Sequence, residues 1–275
     1  MMEFGIVISV SKTKFGPVVF KENLEENIIK AARLGYGGVE LAIRDPKAIS
    51  TAKVLKLLAK YNIKVISVGT GQIYGEEGLS FSDPDKDIRE KAVKRTEKII
   101  DIAKNFDASI IIGLVRGNIE GKTRLKKAED WISQCLEGLM SYSEEWSQKF
   151  LIEPINRYEV NIFNRLDEAH TFLNGSKDRL DLDRIGILAD TFHMNIEEPD
   201  IARSFYKYSS LIKHVHFADS NRWPPGYGHI NFSEIVKTLK GNGYKDYISF
   251  EMLPLPDPDT AAREAIENIR KITME

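Results

Sequence analysis

The chain has 275 residues, 42% of them hydrophobic, and its 39 Lys and Arg against 41 Asp and Glu give a formal charge of −2. This length suits one large α/β domain or two small ones, with ample apolar residues for a sizeable core. Because the charges nearly balance, we expect a small-molecule substrate and no nucleic-acid partner. No apolar run reaches about 18 residues and no signal-peptide pattern opens the chain, so we expect a cytoplasmic protein that does not contact a membrane.

Apolar runs of strand length alternate with amphipathic segments along the chain. The predicted strands cover residues 4–10, 38–43, 63–68, 109–114, 150–153, 185–189, 212–217 and 247–252. The predicted helices cover residues 23–34, 51–60, 86 to about 105, 125–147, 166–173, 201–208, 232–240 and 260–272. We predict long loops at 69–85 and 115–124.

Eight strand–helix units of similar length predict a single parallel (β/α)8 barrel, or TIM barrel. No Pro/Gly/Ser-rich linker divides the chain, so we predict one domain over residues 1–275. A doubly wound open sheet is the alternative, although it would not normally use eight near-equal units. Gly69-Thr-Gly71 resembles part of a dinucleotide-binding loop, but the full glycine motif is absent and we expect no nucleotide cofactor. The single cysteine, Cys135, lies in a predicted helix and is interpreted as a packing residue.

Four consecutive predicted strands, the fifth to the eighth, end in residues that can bind a metal. These residues are Glu153 in Leu-Ile-Glu-Pro, Asp190 in Leu-Ala-Asp-Thr, His216 in His-Val-His-Phe and Glu251 in Ser-Phe-Glu-Met. In a closed parallel barrel the carboxyl ends of the strands surround one mouth, so these side chains would point at a common centre. Singly, a strand-terminal acid often caps the following helix, and a buried histidine is often only a core residue.

Together the four residues favour a metal site. Three carboxylates held close together repel one another, and a divalent cation resolves that repulsion by using their oxygens as ligands. Three oxygens and one nitrogen suit Mn²⁺, Co²⁺ or Mg²⁺ better than a structural zinc ion, which prefers sulfur and a closed tetrahedron. His214 shares the side of the strand that carries His216, and we expect it to pack.

Three segments carry a resemblance to a known family. They are Glu153-Pro-Ile-Asn-Arg-Tyr-Glu159, Asp190-Thr-Phe-His-Met-Asn-Ile-Glu-Glu198 and His216-Phe-Ala-Asp-Ser-Asn-Arg222. They resemble the ketose 3-epimerases of the D-tagatose/D-psicose type, within the xylose isomerase-like TIM barrel superfamily. The resemblance implies a metal held by Glu153, Asp190, His216 and Glu251, substrate contacts from Glu159, His193 and Arg222, and a homodimer or homotetramer.

The chemistry of a ketose 3-epimerase agrees with what these residues can do. Inversion of a carbon next to a ketone removes a weakly acidic proton and returns one to the opposite face, through a cis-enediolate. Glu153 and Glu251 are predicted to act as base and acid by turns, while the metal stabilises the negative charge. Arg222 and His193 would hold the oxygens at the carbonyl end, and Glu159 would orient a hydroxyl.

Other functions stay open at this point. The Glu-Pro-Ile-Asn string is also similar to hydroxypyruvate isomerases, which move a proton between C1 and C2 as aldose–ketose isomerases do. Arg116 in the loop 115–124 could meet a phosphate or be solvated, so a sugar phosphate is a further alternative. An endonuclease IV-like DNA repair enzyme needs histidine ligands on early strands, whereas the five histidines here begin at His170. A non-catalytic barrel is disfavoured because both predicted bases are present.

Overall fold

A computed structural model describes residues 2–274 of the chain. The strands are β1 (Glu3–Ser9), β2 (Phe20–Lys21), β3 (Gly38–Ala42), β4 (Lys64–Gly69), β5 (Ser109–Ile112), β6 (Phe150–Ile152), β7 (Ile185–Asp190), β8 (Ile212–Phe217) and β9 (Tyr247–Phe250). The helices are α1 (Leu24–Arg33), α2 (Thr51–Tyr61), α3 (Gly71–Glu77), α4 (Lys86–Ala103), α5 (Leu125–Tyr142), α6 (Leu166–Gly175), α7 (Thr191–Glu197), α8 (Ile201–Lys207), α9 (Phe232–Gly241) and α10 (Pro258–Met274).

Eight parallel strands close into a barrel. Their order is β1-β3-β4-β5-β6-β7-β8-β9, and β9 pairs back onto β1 from Glu3↔Tyr247 to Ile6↔Phe250. The two-residue strand β2 pairs with Ile8 and Ser9 at the far end of β1, beyond the residues that β9 covers. The predicted parallel (β/α)8 barrel is therefore confirmed, and β2 is an addition that the sequence pattern did not predict.

The pattern of apolar residues in a strand or a helix depends on how many of its faces are buried. All six residues of β7 are buried, because helices cover the outer face of the barrel and side chains fill its interior, and such a strand reads as a continuous apolar run. A helix has only one face against the barrel, so its apolar residues recur every three or four positions. On α5 the buried residues include Ala128, Ile132, Leu136 and Leu139.

In two stretches the structure differs from the prediction, and in a third it adds a helix. The predicted loop 69–85 contains α3, which ends at Gly78 in the left-handed conformation with φ +67°. The predicted helix 125–147 ends at Tyr142, and a single 3₁₀ turn (Glu144–Trp146) follows it. The stretch after β7 is the short helix α7, whose first turn is capped by the side chain of Asp190.

Within residues 2–274, no helix is both long enough and apolar enough to span a membrane.

Candidate active site

The ends of β6, β7, β8 and β9 bring the four predicted metal ligands together. Glu153 directly follows β6, Asp190 ends β7, His216 is the penultimate residue of β8, and Glu251 directly follows β9. One possible ligand atom of each residue lies within 4.8 Å of those of the other three, and all four side chains are largely buried. We call these residues the carboxylate–histidine cluster.

The Nδ1 atom of His216 lies at the centre of this cluster. It is 3.8 Å from Glu153 Oε1, 3.7 Å from Asp190 Oδ2 and 3.8 Å from Glu251 Oε2. These separations are too long for hydrogen bonds, and this buried nitrogen has no hydrogen-bond partner among the described residues. One buried ring nitrogen and three carboxylate oxygens form a ligand set that Mn²⁺, Co²⁺ or Mg²⁺ can use. The residues present therefore fit a divalent cation.

The other ring nitrogen of His216, Nε2, contacts a fifth residue, Glu40, which lies in the middle of β3. His216 Nε2 lies 3.0 Å from Glu40 Oε2, and the same oxygen is 3.1 Å from His214 Nε2 and accepts a 2.6 Å hydrogen bond from Ser67. Burial opposes ionisation of Glu40, but the adjacent His216 and His214 hold its pKa well below its usual range. An ionised Glu40 accepts the proton of Nε2. Burial opposes protonation of His216, but Glu40, Asp190 and Glu251 raise its pKa well above its usual range, so a metal at Nδ1 would take the place of a proton.

Sequence reasoning missed Glu40 because it considered only the ends of strands. The signal was nevertheless present, since Glu40 is a single acid inside the otherwise apolar strand Gly38–Ala42. His214 packs in the interior as predicted, and its hydrogen bond with Glu40 satisfies its polar ring.

The three carboxylates of the cluster differ in their affinity for protons. Burial, together with the negative charge of Glu251, raises the pKa of Glu153 well above its usual range. Burial also raises the pKa of Glu251 to about 7, although Arg222 works against this. Burial acts in the same direction on Asp190, but the charge of Arg222 outweighs it and holds the pKa of Asp190 well below its usual range. Glu153 and Glu251 therefore hold a proton more strongly than Asp190 does.

His193 points one defined N–H toward the cluster. Its Nδ1 lies 2.8 Å from Asn156 Nδ2, which also donates to Glu159 Oε1 at 2.8 Å. The backbone N–H of Tyr158 donates to Asn156 Oδ1, which fixes the orientation of the amide. Because an amide nitrogen only donates, His193 accepts at Nδ1 and carries its proton on Nε2, 3.8 Å from Asp190 Oδ2. Burial lowers the pKa of His193 to about 3, so the ring is neutral.

Arg222 lies against the cluster rather than free in the cavity. Its Nη1 donates to Asp190 Oδ2 at 2.7 Å, its Nη2 bonds to Glu251 Oε2, and its guanidinium stacks on the ring of Phe192. The backbone of Arg222 is in the left-handed region, with φ +64°. A residue other than glycine adopts this conformation only when its surroundings hold it there. Asp219 organises this loop by accepting backbone N–H bonds from Ser220, Gly226 and Ile230.

The cluster opens into a cavity of about 280 Å³. Five predicted site residues line it, namely Glu153, Glu159, His193, His216 and Glu251, whereas Asp190 and Arg222 lie behind them. The opposite wall comes from the segment between β1 and β2, including Thr13 and Phe15, and from α3. A mostly apolar cleft with a few convergent polar groups is typical of a small-molecule site.

A family model described as a xylose isomerase-like TIM barrel matches residues 28–272. The chain belongs to this family. D-psicose 3-epimerase of Ruminiclostridium cellulolyticum is 29% identical over 230 residues, which are 82% of this chain and 76% of that protein. The 3-dehydro-D-guloside 4-epimerase of Escherichia coli K12 is 25% identical over 261 residues, which are 91% of this chain and 95% of that protein. The resemblance to ketose 3-epimerases is thus confirmed.

The same architecture is found in solved structures. A structure of L-ribulose 3-epimerase superimposes with a TM-score of 0.83 and 22% identity, and the match covers 100% of this chain and 95% of that one. At this identity the likeness establishes the fold alone.

In this xylose isomerase-like barrel, the structure contradicts both alternatives predicted for Arg116. The side chain is completely buried, so it is not solvated. Its guanidinium donates to the carbonyl oxygens of Gly113 at 2.8 Å and of Ile162 and Phe163 at 3.1 Å. It is not among the residues that line the cavity, and it holds two loops together instead of offering a phosphate contact.

Proposed function

We propose that the protein is a divalent-metal-dependent epimerase that inverts C3 of a free ketose. The observation that carries the proposal is the Nδ1 atom of His216, which has no hydrogen-bond partner among the described residues and faces three carboxylate oxygens at 3.7 to 3.8 Å beside a cavity. The relatives that match along most of the chain are named epimerases, which are enzymes of the isomerase class.

Glu153, Asp190, His216 and Glu251 would hold the metal, with Mn²⁺ preferred and Co²⁺ or Mg²⁺ as alternatives. When bound, the ion would supply Lewis-acid stabilisation of the negative charge that develops on the substrate oxygens. Arg222 balances the charge of Asp190 and Glu251, with which it forms ion pairs.

The proton transfers fall to Glu153 and Glu251. They enter the site from β6 and β9, which are separated in the barrel by β7 and β8, so their carboxylates approach a bound sugar from different sides. One removes the proton from C3, and the other returns a proton to the opposite face of the cis-enediolate. The neutral His193 donates its Nε2 proton to a sugar oxygen at the carbonyl end, and Glu159 orients a hydroxyl. Arg222, predicted to contact the substrate, does not line the cavity and acts instead through its ion pairs with Asp190 and Glu251.

A second candidate is epimerisation at C4 of a 3-keto glycoside. The relative named 3-dehydro-D-guloside 4-epimerase is matched over 95% of its length, whereas the D-psicose 3-epimerase of Ruminiclostridium cellulolyticum is matched over 76%. The chemistry is the same, because in both substrates the inverted carbon lies next to a ketone.

The first experiment distinguishes these reactions. The Mn²⁺-loaded protein is incubated in D₂O with D-fructose, D-psicose, D-tagatose, L-ribulose and a 3-keto glucoside, and NMR locates the deuterium. We expect deuterium at C3 together with the C3 epimer. Deuterium at C4 of the keto glycoside would support the second candidate, and deuterium at C2 of a newly formed aldose would identify an isomerase. The corresponding ketose phosphates are incubated in parallel, and turnover of these phosphates alone would contradict a free ketose.

The Glu251→Gln variant tests the acid and base assignment. It keeps the shape of the side chain and removes its proton-transfer ability, so we expect kcat to fall by about 10²- to 10⁴-fold. Glu267→Gln, an exposed position on α10, is the matched control. A folded Glu251→Gln enzyme that turns over at the wild-type rate would show that the assignment is wrong.

A further inference from the structure

One wall of the cavity carries a buried amide that no part of the proposed reaction uses. Gln72 is the second residue of α3, its exposed fraction is 6%, and it lines the same cavity as Glu153 and His216. In the barrel, β4, which leads into α3, is four strands away from β8 in the ring of eight. Gln72 therefore lies across the barrel mouth from the strand that carries His216.

The hydrogen bonds around Gln72 leave one of its atoms without a partner. The hydroxyl of Ser9 donates to the carbonyl oxygen of Ser11 at 2.7 Å, so Ser9 Oγ can only accept from Gln72. Gln72 Nε2 donates to it at 2.9 Å, which fixes the orientation of the amide and turns Oε1 away from Ser9. Oε1 is buried and has no hydrogen-bond partner among the described residues. Buried polar atoms are nearly always paired, and an unpaired acceptor on a residue that lines a cavity indicates a missing donor.

The neighbouring polar groups of this wall offer acceptors rather than donors. The hydroxyl of Thr70 is used by the carbonyl oxygen of Ile111 at 2.6 Å, and that of Thr13 is directed at Glu76 Oε1 at 3.3 Å. Glu76 itself is a carboxylate, and the cation of this wall, Lys14, is exposed. A hydroxyl of the ligand complements such a wall, whereas a phosphate would place its oxygens against other oxygens.

We propose that Gln72 Oε1 accepts a hydrogen bond from a sugar hydroxyl remote from the reacting carbonyl, and that Gln72 is a specificity-determining residue. The proposal rests on the proposed function, since it places a ketose in the cavity with its reacting end at the carboxylate–histidine cluster. The hydroxyl of the substrate would pair the one polar atom that the protein leaves unpaired.

The test measures how strongly the enzyme prefers a substrate that carries the hydroxyl over an analogue that lacks it. We compare D-psicose with its 4-deoxy, 5-deoxy and 6-deoxy analogues, using kcat/KM for turnover and calorimetry for binding to the Mn²⁺-loaded protein. For one of the three analogues, the wild type is expected to lose roughly 10- to 100-fold relative to D-psicose. In Gln72→Met, the side chain has a similar length but no acceptor. The kcat/KM for D-psicose divided by that for this analogue is therefore expected to approach one. Gln134→Met, an exposed position on α5, is the control and is expected to keep the wild-type ratio.

Each outcome separates this proposal from the function on which it rests. Epimerisation by the wild type with equal ratios in wild type and Gln72→Met overturns the role of Gln72 and leaves the epimerase intact. If D-psicose binds without turnover, and the ratio of its affinity to that of the analogue falls to one in Gln72→Met, the role of Gln72 is supported and the epimerase function is overturned. Neither binding nor turnover of D-psicose, or no penalty for any analogue, overturns the role of Gln72. If Gln72→Met does not fold, Gln72→Leu replaces it; it also lacks the acceptor, so the ratio should approach one, and an unchanged ratio would count against the proposal.

Discussion

At the scale of single residues, Asp190 divides its two carboxylate oxygens between two tasks. Oδ1 accepts the backbone N–H of Phe192 at 2.8 Å and caps α7, while Oδ2 accepts from Arg222 and lies 3.7 Å from His216 Nδ1. The sequence pattern allowed either a helix cap or a metal ligand at this position. One side chain has atoms placed for both, so the two interpretations do not exclude each other.

Glu40→Gln should weaken metal binding without touching the metal ligands. The glutamine can no longer supply the negative charge that holds the proton of His216 on Nε2, and losses of about 10- to 100-fold in metal affinity are typical of such changes. Titration calorimetry with Mn²⁺ measures the effect. Glu90→Gln, at an exposed position on α4, is the control. Unchanged Mn²⁺ affinity in a folded Glu40→Gln protein would contradict the positioning role of Glu40.

Cys135 should be inert in the folded protein. Burial raises the pKa of its thiol to about 12, so at pH 8 almost no reactive thiolate is present. Iodoacetamide should alkylate it slowly at pH 8 and rapidly after unfolding in guanidinium chloride, as mass spectrometry can show. Because the unfolded thiol loses its proton at about pH 9, this group makes the free energy of unfolding fall as the pH rises from about 9 toward 12. Rapid alkylation of the native protein would contradict the buried placement.

At the scale of elements, the sequence predicted strands better than it predicted the connections between them. Parallel strands are buried on both faces, so their apolar runs and the polar residues that end them could be recognised in the sequence. The four cluster residues were predicted from these strand ends. Helix α3 was missed because Gly71 and Gly75 lower its helix propensity, while tertiary contacts stabilise it. Ile73 is completely buried, and Gln72 bonds to Ser9. Contacts of this kind, like that between Glu40 and His216, join residues far apart in the chain and leave no local pattern.

Arg116→Met should destabilise the loops that follow β5 and β6. Arg116 is buried and donates to three backbone carbonyls from these loops, and its loss leaves those acceptors unpaired. We expect the free energy of unfolding to fall by about 3 kcal/mol. Urea denaturation measures this, with the exposed Arg124→Met as the control. A loss below about 1 kcal/mol would mean that these hydrogen bonds contribute little.

At the scale of the whole molecule, the cluster joins four strands of the barrel, so metal binding should stabilise the fold. At 100 times its Kd, Mn²⁺ adds about 2.7 kcal/mol to the free energy of unfolding, which raises Tm by roughly 5 °C or more. Protons compete with the metal, because burial raises the pKa of Glu153 and brings that of Glu251 to about 7. The rise in Tm should therefore be larger at pH 8 than at pH 6.

Differential scanning fluorimetry with Mn²⁺ or EDTA at both pH values measures this effect, and His216→Ala is the control that should show almost no rise. An equal rise in the wild type and in His216→Ala would place the metal elsewhere. The homodimer or homotetramer and the extent of the domain over residues 1–275 stay predictions.

The pairing of β9 with β1 has a consequence for the order in which the molecule can form during synthesis. Until residues 247–250 leave the ribosome, one hydrogen-bonding edge of β8 and most of one edge of β1 have no strand beside them, and such edges are prone to pair with other chains. The strand that removes both edges also delivers Glu251, the last residue of the cluster to be translated. The nascent chain therefore gains a sealed barrel and a complete set of candidate metal ligands in one step.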